Sequence, residues 1–142
     1  MSSLTIVRKI KARPSVVFEA VSTPEGLRQW IGPDDGPVLV AEADPRTGGR
    51  FLVRFQMLDG TEHEAGGEYV EVTPPSRLVM TWQWRNEPET SRVEISLREI
   101  AEGTELTFTH AQLPSEGSAD SHRKGWNGSL DKLVRAVDGK PA

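Results

Sequence analysis

"VTPPSRLVMTWQW", residues 72–84, joins a Pro-Pro turn to a run in which Leu78, Met80, Trp82 and Trp84 fall on alternate positions. Strand side chains point to opposite faces with a period of two, so Met80, Trp82 and Trp84 share one face while Val79, Thr81 and Gln83 share the other. Two of the four tryptophans of the chain stand here. So large an aromatic face needs a cover: a solid core, a hollow that holds a ligand, or a partner protein.

The alternation continues on both sides of this stretch. "RFLVRFQML" (50–58) sets Phe51, Val53, Phe55 and Met57 against Leu52, Arg54 and Gln56, and Asp59-Gly60 is a hairpin signal. The return strand, about 62–72, contains Gly66-Gly67, which points to a bulge or a close backbone approach. Downstream, 91–100 turns Val93, Ile95 and Leu97 inward, and 104–110 places Leu106, Phe108 and His110 on one face. Upstream, "PVLVAEA" (37–43) reads as a strand. The first strand, near 4–11, puts Ile6, Arg8 and Ile10 together.

Helical spacing marks three further segments. In "RPSVVFEAV", Pro14 suits a first helical turn, and in "STPEGLRQWIGP" Thr23 is the N-cap with Pro24 at N1. Gly32-Pro33 ends that second short helix. In the tail, Trp126, Leu130, Leu133, Val134 and Val137 recur at i, i+4, i+7, i+8 and i+11, an amphipathic stripe. Gly125 and Gly128 cost that helix about 1 kcal/mol each relative to alanine, so they are expected to let it lie close to the sheet or to mark a kink. The element order is β-α-α, six more strands and a long helix. An antiparallel sheet with one apolar face needs a cover. The expectation is an α+β fold: a curved antiparallel sheet wrapped around a long C-terminal helix, with two short helices after the first strand, in one domain spanning 1–142.

Composition narrows the function. A chain of 142 residues buries roughly two-thirds of its extended surface, enough for a core without staples. It has no cysteine, which excludes disulfides and thiolate chemistry. The N-terminal stretch has no apolar run of signal-peptide length, and no segment reads as a membrane span; the expected location is cytoplasmic. A net charge of −4 and a pI near 5.4 argue against nucleic acid as a partner.

The motifs "FEAVSTPEGLRQWIGP" (18–33), "DPRTGGRFLVRF" (44–55), "DGTEHEAGGEYVEVTPPSRLVMTWQW" (59–84), "GTELTFTH" (103–110) and "GWNGSLDKL" (125–133) resemble, in order and over nearly the whole chain, the START-like (SRPBCC, polyketide cyclase) superfamily with its helix-grip fold. The likeness is greatest to bacterial proteins similar to the C-terminal domain of the heat-shock-90 ATPase activator. The resemblance implies a hollow under the long helix. Two departures stand out: Ile31 occupies a position where the family often has a second aromatic, and nothing corresponds to the activator's separate N-terminal domain.

The residues expected to line such a cavity are Trp30, Phe51, Phe55, Val70, Met80, Trp82, Trp84, Phe108 and Trp126, with Arg8, Glu68 and His110 as its polar members. Each of those three shares the parity of inward apolar neighbours, and a buried charge there must be paired or wet; an Arg8–Glu68 ion pair is the plainer explanation for two of them. The alternative for the apolar set is that it simply fills the core. His63 lacks metal-ligand spacing, with Glu62 and Glu64 on the opposite strand face, and His122 is expected at the solvent surface of the last helix. No G-x-S-x-G elbow or phosphate loop is present, and the glycines of 47–49 and 65–67 read as turn and bulge glycines. No catalytic residue, cofactor or metal is expected.

The leading reading is non-catalytic binding of a small hydrophobic molecule (lipid, aromatic or polyketide-like) between the sheet and the C-terminal helix. The alternative is a stand-alone, co-chaperone-like interaction module whose partner is a chaperone. A third is a cyclase-like enzyme with His110 as base. A monomer or weak homodimer is expected.

Overall fold

The computed structural model describes residues 1–141. The strand β1 (Ser2–Ile10) is followed by the helices α1 (Pro14–Ser22) and α2 (Pro24–Leu27). Six strands come next: β2 (Val38–Ala43), β3 (Arg50–Gln56), β4 (Glu62–Thr73), β5 (Arg77–Trp84), β6 (Ser91–Ile100) and β7 (Gly103–Leu113). The long helix α3 (Glu116–Val137) closes the chain. The seven strands form one antiparallel sheet in the order β1-β7-β6-β5-β4-β3-β2. This is the expected α+β helix-grip architecture.

Local chemistry accounts for the helix boundaries. Thr23 Oγ1 accepts the Gly26 N–H at 3.0 Å, the N-cap anticipated from the sequence. The long helix starts earlier than the apolar stripe suggests, because Ser115 Oγ accepts the Ser118 N–H at 3.1 Å and caps it. The stripe itself holds: Trp126, Leu130, Leu133 and Val137 are buried in one cluster with Leu4, Ile6, Leu106 and Phe108.

The inward face of the sheet follows the predicted parity in β3, β5, β6 and β7 but not in β4. There the register passes from Tyr69↔Met80 to Glu71↔Val79, so two residues on β4 oppose one on β5. Val70 is the extra residue of this bulge. Consequently Ala65, Gly67 and Tyr69 point inward and are buried, whereas Glu68 and Val70 are exposed. Counting back from Val72 across the bulge inverts both assignments. Glu68 and Val70 therefore do not belong to an internal cavity.

The outer face has its own buried position. Val79 is fully buried, and its cross-strand neighbours are Glu71 and Glu94. The guanidinium of Arg77, two residues away on the same face, donates to Glu71 at 3.1 Å, to Glu94 at 3.0 Å and to Ser96 Oγ at 2.9 Å. This network roofs the valine with polar groups that satisfy one another.

The glycines of α3 serve a loop rather than the sheet. A side chain at Gly128 would collide with the backbone carbonyl of Pro33. Without one, the segment after α2 lies against the helix. Ser129 Oγ donates to the Gly32 carbonyl at 2.8 Å, and Lys132 Nζ donates to the carbonyls of Ile31 (3.1 Å) and Asp34 (2.6 Å). Burial pushes the Lys132 ammonium below the usual lysine range, with Asp35 and Asp34 acting in the opposite direction. The Asp34 carboxylate in turn accepts from the N–H groups of Gly36 and Leu58, which ties this loop to the β3–β4 hairpin.

Candidate functional site

The space expected under α3 is filled at its centre. Trp30, Phe51, Met80 and Phe108 pack with Trp82 and Trp126 around a void of about 20 Å³ with apolar walls. The rings meet at close range: Phe108–Trp126 centroids are 4.4 Å apart, Trp82–Trp126 5.1 Å and Phe51–Trp82 5.4 Å. Such edge and tilted contacts are what aromatic quadrupoles favour. These residues are core.

Open space lies instead at one end of the same face. A groove of about 700 Å³ runs between the ends of β3, β4 and β5, the Ile31–Pro33 segment and the N-terminal half of α3. Of the anticipated residues, Phe55, Trp82, Trp84 and Trp126 line it. Phe55 pairs with His63 across β3 and β4, and the His63 ring stands 5.6 Å from Phe55 and 6.0 Å from Trp84. The rim is polar: Arg54 bonds Glu62 at 2.9 Å, and Arg85 lies 3.9 Å from Glu64.

His122 closes the wall on the α3 side. It is half-buried rather than exposed at the surface. Its Nδ1–H donates to the Ser118 carbonyl at 2.8 Å, which leaves Nε2 to accept the indole N–H of Trp84 at 2.9 Å. The sequence held a signal for this: His122 precedes Trp126 by four residues and so shares its helix face. His63 was not visible in the same way, because counting back from Val72 put it on the outward parity; the β4 bulge turns it inward, opposite Phe55.

The three polar candidates go elsewhere. Arg8 donates to Asn127 Oδ1 at 2.9 Å and to Asp131 Oδ1 at 3.1 Å; its partner is α3 and not Glu68, which points out of the opposite face. His110 is fully buried. Its Nδ1 accepts the Trp126 indole N–H at 3.0 Å, so Nε2 carries the proton and donates to Ser91 Oγ at 2.7 Å, and the Ser91 hydroxyl donates to the Trp82 carbonyl at 3.1 Å. Burial, with a smaller contribution from neighbouring His122, holds the His110 imidazole at a pKa of about 3. Both nitrogens are committed to the core and neither faces the groove.

One polar atom is left over. Trp30 donates its indole N–H to the Ala20 carbonyl at 3.0 Å, and Trp84 and Trp126 donate to the two histidines. Trp82 Nε1 is buried and has no acceptor among the described residues. Leaving such a donor unpaired costs about 1–3 kcal/mol. Among the described residues no cluster of three or more histidines and carboxylates forms a metal site, and no helix is long and apolar enough to cross a membrane.

The family model for "Activator of Hsp90 ATPase homolog 1-like protein" matches residues 11–138. The chain belongs to this family. Solved structures are similar to it in fold. A protein of Chromobacterium violaceum is 26% identical, with a TM-score of 0.88 over 99% of this chain and 100% of that one. The AHSA1 protein of Silicibacter pomeroyi is 25% identical, with a TM-score of 0.86 over 96% and 97%. An AHSA1-like protein of Aeromonas hydrophila, 22% identical with a TM-score of 0.79 over 96% and 92%, shares the fold. A comparison with curated proteins gave no match. In this member of the activator-like family, the groove by Trp84 and His122 is far larger than the void in the core beside it.

Proposed function

We propose that the chain binds a small, largely apolar molecule, without transforming it, in the groove between the open end of the sheet and the N-terminal half of α3. The observation that carries this is a space of about 700 Å³ floored by Phe55, Trp84 and Trp126 and rimmed by Arg54, Glu62 and Glu64. Ligand sites are typically concave, mostly apolar and edged with a few polar groups, in the range of about 300–1,000 Å³. The candidate base of a cyclase-like reaction, His110, is sealed in the core, and His122 has both ring nitrogens in hydrogen bonds. Binding is thus favoured over proton-transfer chemistry.

The test is a thermal-shift screen of lipids and aromatic compounds against the wild type and Gly125→Leu. Gly125 lines the groove, and a Cβ added there meets Pro33 Cβ at 3.9 Å, ordinary contact, so the position accepts a side chain and leucine is the bulky probe. A hit that raises the midpoint in the wild type and not in the variant supports the reading; hits indifferent to Gly125→Leu contradict it.

A second reading, docking on a chaperone as an activator-like module, draws on family membership alone. It predicts that the purified protein changes a chaperone's ATPase rate, and that Gly125→Leu leaves this effect intact.

A further inference from the structure

Given the groove as the binding site, its floor specifies part of the ligand. Trp82 lines both the groove and the small void beneath it, and its indole N–H is the one buried side-chain donor without an acceptor among the described residues. The void does not supply that acceptor. Its volume of about 20 Å³ admits one water at most, but a buried water needs two to four polar partners and the walls are apolar. Nor does any acceptor of the surrounding side chains, among the described residues, lie within hydrogen-bond distance of the Trp82 N–H.

We infer that the ligand is a planar aromatic molecule bearing a carbonyl-type acceptor that takes the Trp82 indole N–H. The planar body follows from the rings around the site. Trp82 and Trp84 meet edge to face with centroids 5.5 Å apart, and Phe55 and Trp84 at 6.3 Å, so faces and edges of a flat guest can continue the same packing. The acceptor follows from the N–H, which is a donor only. It lies below the groove surface, so a side chain at the floor must shift to expose it.

The test compares two guests of the same shape, 2-acetonaphthone and 2-isopropenylnaphthalene, which differ in a carbonyl oxygen against a methylene. Affinities are measured by calorimetry for the wild type, Trp82→Phe and Gly125→Leu. In the wild type the ketone should bind about three- to tenfold more tightly than the hydrocarbon, the net value of one hydrogen bond. Trp82→Phe keeps an aromatic ring and removes the donor, so the ratio should fall to about one, whatever the volume change does to both affinities alike. Equal affinities in the wild type, with both guests lost in Gly125→Leu, overturn the assignment of the acceptor and leave the groove standing as a site. A ratio that survives Trp82→Phe overturns it too. If neither guest binds, the groove reading fails, and this inference with it.

Discussion

Trp84 and His122, 38 residues apart, are joined by a 2.9 Å hydrogen bond from the indole N–H to Nε2, and this bond links the last residue of β5 to the second turn of α3 at the groove. It holds the Trp84 ring against the helix, and the Ser118 carbonyl holds the imidazole in the tautomer that can accept. Replacing His122 by alanine should cost about 1–2 kcal/mol through the unpaired half-buried donor and lost packing. Glutamine, whose side-chain oxygen can accept, should recover part of it. Urea denaturation followed by tryptophan emission reads both.

The glycines of α3 make opposite predictions. At Gly125 the nearest atom to an added Cβ is Pro33 Cβ, at ordinary contact distance, whereas at Gly128 it is the Pro33 backbone carbonyl, in collision. Gly125→Ala should stabilise the protein by up to about 1 kcal/mol, the helical cost of glycine. Gly128→Ala should destabilise it despite the same propensity gain, because the loop from Ile31 to Asp34 must lift off the helix. Thermal midpoints of the two variants decide this.

His110 should shape the acid limb of the stability curve. Its pKa is about 3 in the fold, chiefly through burial, against about 6.5 unfolded. Above pH 6.5 neither state is protonated and the group is neutral to folding. Between 6.5 and 3 only the unfolded chain takes the proton, so stability falls with falling pH, by up to about 1.4 kcal/mol per unit. His110→Gln should reduce the slope between pH 6.5 and 4.5 relative to wild type while lowering stability at pH 7. Urea midpoints at several pH values measure both effects.

On β4, Tyr69 is buried and Val70 is 42% exposed. Val70→Lys should change stability by less than about 0.5 kcal/mol, as at ordinary surface positions, and leave ligand binding unchanged. Tyr69→Ala should cost about 3–5 kcal/mol, as loss of a large buried aromatic does. Swapped results would place the bulge elsewhere.

The contrast between these two neighbours also shows what a sequence can disclose. Period-two alternation in β3, β5, β6 and β7 and the Thr23-Pro24 start signal are local, and they sufficed for the element order and the helix-grip architecture. A bulge adds one residue without changing the letters around it, so the parity of Glu68 and Val70 was not legible. Polar satisfaction is non-local as well. His110 looks like a cavity residue until Ser91 and Trp126 are seen to take both its nitrogens, and Arg8 looks like a partner for Glu68 until α3 brings Asn127 and Asp131 to it. Whether Met80, Phe51 and Phe108 enclose space or fill it depends on how the rings interlock, which spacing does not encode. His122 was within reach, one helical turn before Trp126, but its charge type and the polar residues beside it argued for the surface.

The central claim is that the groove, rather than the filled centre beneath α3, receives the ligand. The most direct measurement is the ¹⁵N spectrum of the four indole N–H groups, titrated with 2-acetonaphthone. Binding in the groove should move the resonances of Trp82, Trp84 and Trp126, which line it, and leave that of Trp30, bonded to Ala20, in place. A titration that shifts Trp30 as much as Trp84, or that shifts none of the four, would contradict it.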